Sequence, residues 1–428
     1  MKTAFGKPMR QQFLFDGSWV NMNHGSFGAI PKYVRKCLLE KQDLVETSPD
    51  AFIRYDYSKH LLESRKAVAD LVNAPLGTIA LIPNATSGID TILRNLDYTA
   101  RDHILSFSTV YGAAERTMLH LAETTGVNVT RIPLAYPLSD AEVLHRLYRT
   151  VAQIREKDED IKVVVFDTIV FEPGVRMPFE ALITACRELG ILSCVDAAHC
   201  VGQIPIDLSD LEPDFFVSNL HKWLFVPRGC AVLYVPSRNQ HLMRTTFPTS
   251  WGYRPKNATC QGQFRQTFDE QSEFETLFES FGTMDYSPFL CVADALRFRR
   301  MVCGGEEEIM RYNSELAARG GRTMAETLGT AILDNAEGSL TRGCSMVNVR
   351  LPVDPVGMLE EVGEWIAKAL VRRHRTYVPV FVHAGQLWVR VSAQVYLDED
   401  DFVFLGEALK GLCDEVGDGV FSSRASRL

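Results

Sequence analysis

A chain of 428 residues exceeds what one compact core usually holds, so two domains, or one large domain with an appendage, are expected. Apolar residues make up 46% and charged residues 23%, an ordinary globular balance, and a net charge of -9 offers no basic footprint for nucleic acid or an anionic membrane. No stretch reaches about 18 uninterrupted apolar residues, the N-terminal MKTAFGKPMRQQFLF lacks the apolar core of a secretory signal, and the ten cysteines include no CxxC pair, so a soluble, cytoplasmic protein with reduced thiols and small-molecule partners is expected.

Near the N-terminus Asn23-His24-Gly25-Ser26-Phe27-Gly28 forms a polar, glycine-rich motif. From about residue 60 to 290 helical and strand patterns alternate, which predicts an α/β fold with a mostly parallel sheet. Amphipathic spacing predicts helices over Tyr57 to Val72 and Ala141 to Glu156. Short apolar runs predict buried strands at Ile161 to Phe166, Ile191 to Val195, Phe215 to Val217 and Ala231 to Val235. Beyond Ser287 the character changes: one long helical pattern runs from Pro288 to about Leu328, a strand follows at 347–351, a helix near Met358 to Arg373, and a strand at 387–392. This predicts a smaller C-terminal α+β domain.

In parallel sheets ligands sit at the carboxyl ends of strands, and two residues there stand out. Lys222, in SNLHKW, closely follows an apolar strand; alone it would read as a surface lysine. Asp196, in CVDAAHC, ends another strand; alone it would read as a helix N-cap. Together they form a constellation that capping does not explain, because a carboxylate so placed can pair with a protonated pyridine nitrogen and make the ring an electron sink.

These segments, VDAAH and SNLHKW, resemble the class V aminotransferase family, and the likeness runs from Asn23 to Tyr396. The resemblance implies the fold-type I architecture and pyridoxal 5'-phosphate (PLP) as cofactor. It implies a segment over residues 1–50 that closes over the active site, a PLP-binding domain over 51–287 and a small domain over 288–428. Lys222 takes the place of the lysine that holds PLP as a Schiff base and moves protons, a role served by an amine of lowered pKa. Asp196 takes that of the pyridinium partner. His199 lies where the family places a group bonded to the ring hydroxyl, or is a satisfied structural histidine. Ala85 and Thr86, in the turn Pro83 to Gly88, match the backbone donors to the phosphate, with Asn219 and His221 beside them; Asn219 departs from the family's usual serine. Tyr111 matches an aromatic stacked on the ring, or simply packs. Gly282 and Thr283 match a segment given to the neighbouring subunit's phosphate, which implies a homodimer with active sites at the interface, or form an ordinary turn. Arg390 matches the arginine that grips an amino-acid carboxylate, Asn23 and His24 belong to the closing loop, and Arg228 is a pocket or a structural residue.

Within the family, FLFD, NHGSFG, VFDTIV, PRGCAVLYVPSRNQH and PTSWGY look most similar to the LolT-like branch of fungal loline alkaloid biosynthesis. That likeness implies a quinonoid carbanion at Cα of an amino acid and ring closure to a nitrogen heterocycle. Carbon-sulfur cleavage like that of the ergothioneine-pathway lyase is the alternative, with epimerisation or a non-catalytic PLP-fold protein behind it. A cysteine desulfurase is disfavoured, Cys344 being the nearest candidate nucleophile. The loop Gly252 to Thr267 is expected to choose the substrate, and Ser426-Arg427-Leu428 keeps the small, basic, leucine order of a peroxisomal address, or matches it by coincidence.

Overall fold

The computed structural model describes residues 2–255, 272–353 and 358–418. Most of the loop Gly252 to Thr267 and the tripeptide Ser426-Arg427-Leu428 lie outside the described residues.

The four apolar runs become strands of a sheet that three further strands complete, a 7-stranded sheet ordered β1-β7-β6-β5-β4-β2-β3. These are β1 (Ile79–Ile82), β2 (Asp102–Phe107), β3 (Asn128–Ile132), β4 (Asp160–Asp167), β5 (Leu192–Asp196), β6 (Phe215–Asn219) and β7 (Ala231–Tyr234). The ladders joining β2, β3, β4, β5 and β6 are all parallel, and β7 runs antiparallel to its neighbours β1 and β6. Val163, Val164, Val165 and Phe166 are wholly buried, as a parallel strand covered on both faces requires. The expected helices form over Tyr57–Leu71 and Asp140–Arg155. The α/β class is as the sequence implies.

The long helical pattern after residue 287 is not one helix. Short helices at Ser287–Leu290 and Val292–Phe298 lead into a π-turn over Arg299–Cys303, and a 23-residue helix restarts at Glu306–Leu328. Gly304 and Gly305, both at positive φ, make the break. A 3-stranded sheet follows, in the order β8-β10-β9, from Met346–Arg350 (β8), Val380–His383 (β9) and Gln386–Ser392 (β10), with helices at Leu359–His374 and Glu399–Gly417. All its ladders are antiparallel, and Arg390 lies on the central strand.

The N-terminal residues lie along this C-terminal part. Gly6 donates its N–H to Val395 O (2.8 Å), Met22 O accepts from Ser392 N–H (2.8 Å), and Val20 bridges to Thr376. Arg10 pairs with Asp401 (2.5 Å) and Lys7 with Asp400 (2.5 Å). At Gly28 the chain passes so close to the Lys222 helix that a Cβ would fall 1.8 Å from His221 O, on a backbone at φ +65. Only glycine fits there without a shift. Among the described residues no helix is long and apolar enough to cross a membrane.

Candidate active site

Parallel strands end on one edge of a sheet, and this gathers the polar groups. β4 ends in Asp167 and β5 in Asp196, which are Cα partners across the ladder. β6 ends in Asn219 and passes directly into the short helix Leu220–Trp223 that carries Lys222.

The Lys222 side chain is buried, its Nζ 3.0 Å from His199 Nε2. Burial first, and then the Arg390 charge, lower its pKa to about 8 from the ordinary 10.5, with Asp196 and Asp167 acting against them. The indole N–H of Trp223 donates to His199 Nδ1 at 3.3 Å. An indole can only donate, so Nδ1 is the acceptor and the ring proton of the neutral imidazole lies on Nε2, where it can be given to the lone pair of a neutral Lys222 amine. Burial and the neighbouring cations, Lys222 first, hold His199 well below the usual imidazole range, so the ring stays neutral.

Asp196 accepts the Ala198 N–H at 3.0 Å. Burial raises its pKa, while that hydrogen bond and Lys222 hold it down. Asp167, wholly enclosed, is raised further, by burial and then by Asp196. Two adjacent buried carboxyls do not both ionise readily. Asp196, whose pKa is raised the less of the two, is the one better fitted to carry the charge.

Opposite lies the start of the Ala85–Asn95 helix, capped by Asn84 through Ser87 N–H (2.8 Å). Asn219 Oδ1 accepts the Ala85 N–H (2.9 Å). The expected Ala85 donor is therefore already engaged, and Thr86, on the exposed side, keeps a first-turn N–H with no acceptor among the described residues. His221 donates Nδ1–H to Cys230 O (3.1 Å), which leaves Nε2 an acceptor; burial lowers its pKa to about 4. A phosphate contact at Nε2 would require the protonated ring.

Arg390 reaches in from β10. Its Nη1 donates to Phe171 O (2.6 Å), and its Nη2 donates to Asn23 Oδ1 and Ser26 Oγ (both 2.9 Å). The guanidinium lies 4.7 Å from the Phe171 ring centre, and its Nε is buried with no partner among the described residues. Burial lowers its pKa to about 10, so it remains a cation. Phe171 in turn meets Tyr111 edge-on at 5.5 Å and His199 at 6.4 Å. One wall thus runs from Tyr111 past His199 to Arg390.

Asn23 joins this wall, but His24 turns inward. It is fully buried between Trp223, Phe225 and Tyr396, bonded through Nδ1 to Tyr396 Oη (2.9 Å), and burial lowers its pKa to about 3. Arg228 is exposed and reaches Gly28 O (3.3 Å) rather than Lys222. Gly282 and Thr283 are exposed, with Gly282 O accepting from Tyr286 Oη. Sequence reasoning overlooked Asp167, Phe171 and Trp223. The first had a visible signal, since VVVFD ends an apolar strand in a carboxylate just as CVD does.

These residues suit PLP: a strand-end carboxylate for the ring nitrogen, a buried amine of lowered pKa for the aldehyde, and a helix start with a free donor for the phosphate. The family model of aminotransferase class V matches residues 54–398. The chain belongs to the class V aminotransferase family. Its cofactor is PLP and its architecture is fold type I. It is similar to the L-cysteine desulfhydrase-like protein lolT1 of Epichloe uncinata, 40% identical over 97% of this chain and 97% of that protein. It is also similar to the hercynylcysteine sulfoxide lyase of Schizosaccharomyces pombe, 26% identical over 96% of this chain and 98% of that one. Among solved structures, the cystine C-S lyase C-DES in complex with cysteine persulfide has the same fold, with a TM-score of 0.74 at 19% identity, covering 92% of this chain and 98% of that one.

Proposed function

We propose that this class V enzyme binds PLP through Lys222, removes a proton from Cα of an amino acid, and joins that carbon to an electrophilic carbon to close a nitrogen heterocycle. The observation that carries the reading is the buried Lys222 amine of lowered pKa, 3.0 Å from His199 and on the same wall as a guanidinium suited to a carboxylate. PLP, when bound, supplies the electron sink that makes a carbanion at Cα accessible. Asp196 keeps the ring nitrogen protonated, His199 donates at the ring hydroxyl, and Tyr111 covers the ring face. Asn219, His221, Ala85 and Thr86 bound the phosphate, Ala85 by ordering Asn219. Arg390 binds the α-carboxylate and Asn23 orients it; His24 and Arg228 support the N-terminal segment around that site. We divide the chain at residues 50 and 287; the second boundary falls between the chain ranges of the two sheets, which supports it.

The LolT-like motifs of the sequence support the cyclisation reading, whereas the name of lolT1, L-cysteine desulfhydrase-like, points towards carbon-sulfur cleavage. The name of the S. pombe relative supports this second reading, β-elimination at a carbon-sulfur bond. A desulfurase reading gains nothing from the described cysteines, which are all buried; burial pushes the Cys344 thiol up to about 12. The exposure of Gly282 and Thr283 supports a homodimer in which they reach the partner's phosphate.

The test is borohydride reduction of the yellow protein followed by peptide mapping: PLP should be fixed on Lys222 and absent from Lys222→Ala. Amino acids incubated with the enzyme in heavy water should exchange their Cα hydrogen. Condensation with an aldehyde or iminium partner supports ring closure, and pyruvate release from cysteine sulfoxides supports the lyase. A native protein that takes up no PLP would sink both.

A further inference from the structure

After β4 the chain folds back on itself. Val170 N–H bonds to Val175 O (2.9 Å), Ile169 bridges to Arg176, and the tip of the loop is Phe171-Glu172-Pro173-Gly174. Both ends of the tip touch one side chain. Phe171 gives its carbonyl and ring face to the Arg390 guanidinium, and a Cβ on Gly174 would lie 2.8 Å from Arg390 Cδ. Glu172 is therefore held beside Arg390, between two residues that touch the same arginine. It is half-buried, and its carboxylate makes no hydrogen bond or ion pair with any described residue. The groups that act on it electrostatically are Arg390 and the half-exposed Tyr377. Burial raises its pKa and Arg390 lowers it, as befits a carboxylate short of a counter-charge.

We propose that Glu172 receives a second, cationic nitrogen of the substrate, a protonated amine or an iminium, and so selects amino acids that carry one. The inference rests on the reading of Arg390 as the seat of the α-carboxylate. Once a carboxylate takes up the guanidinium charge, Glu172 is left as a second anion beside it in a partly desolvated wall, where like charges repel strongly. A neutral side chain leaves that repulsion standing. A cationic nitrogen cancels it and adds a charge-assisted hydrogen bond. The same carboxylate would stabilise an iminium carbon as the target of attack, which ties the selectivity to the cyclisation reading.

The test uses the PLP-loaded enzyme and pairs of L-amino acids of matched length: 2,4-diaminobutyrate against norvaline, ornithine against norleucine, and lysine against 2-aminoheptanoate. Dissociation constants are read from the change in the cofactor absorbance and, independently, by calorimetry. In at least one pair the cationic member should bind about tenfold more tightly, or better, as expected of a hydrogen bond to a charged group. The ratio should fall to near one in Glu172→Gln and survive in part in Glu172→Asp. Ratios at or below one in the unaltered enzyme, or a preference that persists in Glu172→Gln, would overturn the role of Glu172 while leaving the amino-acid reading intact. If no amino acid of either series perturbs the cofactor, both fall together.

Discussion

Lys222 owes its chemistry to where its strand ends. Its pKa of about 8 means that near neutrality a useful fraction of the amine is unprotonated, whereas an ordinary lysine at 10.5 would have almost none. The sign follows from burial and Arg390, which both disfavour the cation. The rate at which cofactor-free protein takes up PLP should therefore climb with pH and level off above about 8, measured by stopped-flow absorbance; a climb continuing towards 10.5 would show that the site does not perturb the amine. Arg390 acts as a planar fork, which a lysine cannot reproduce. Arg390→Lys should weaken amino-acid binding about tenfold or more in equilibrium titration, and unchanged affinity would remove Arg390 from the carboxylate role. Lys222 and Asp196 were legible in the sequence because each sits in a short polar motif that closes an apolar run, whereas the places of His199 and of Arg390, inside LWVRVS, came only through the family resemblance. Phe171 and Glu172 were not, because their meaning is a contact with Arg390, 219 residues away from Phe171. Trp223 reads as core, and it is core, yet its one polar atom sets the tautomer of His199.

Local pattern located β4, β5, β6, β7, β8 and β10 but did not single out β1, β2 and β3. Apolar runs fixed β4, β5, β6 and β7 to within a residue or two, since a strand buried on both faces leaves an unbroken signature. Helical periodicity misjudged the stretch after residue 287, because it records side-chain character and is blind to a backbone break. A π-turn and two glycines at positive φ end one helix and begin another while the apolar spacing continues. The short edge strand β9 went unseen: Val382 is exposed and Val380 only half-buried, so it carries little hydrophobic signal. At the same scale, the Lys222 helix and the N-terminal segment touch at Gly28, whose φ of +65 and closeness to His221 O leave no room for a Cβ. Gly28→Ala should cost about 1–3 kcal/mol of stability and speed the loss of PLP on dilution, followed by thermal unfolding and absorbance. A variant with unaltered melting and retention would show that this contact is slack.

Across the whole molecule, the site is assembled from distant parts of the chain: Asn23 and Ser26 from the beginning, Asp167 to Lys222 from the large sheet, and Arg390 from the last strand. Removal of residues 2–28 takes away two acceptors of the Arg390 guanidinium and uncovers the C-terminal sheet. The truncated protein should melt well below the full chain and bind amino acids weakly even when loaded with PLP; equal melting and equal affinity would show the segment to be dispensable. The same pairing has a bearing on synthesis. Several partners that hold the N-terminal segment in register, Thr376, Ser392, Val395 and Asp401, lie more than 350 residues downstream of it and are translated long after it. At cellular elongation speeds residues 6–22 wait roughly 20–70 s for the segments they pair with. The large sheet can close in that interval, but the pocket cannot, so the growing chain acquires its affinity for an amino acid only once the strand that carries Arg390 has been made.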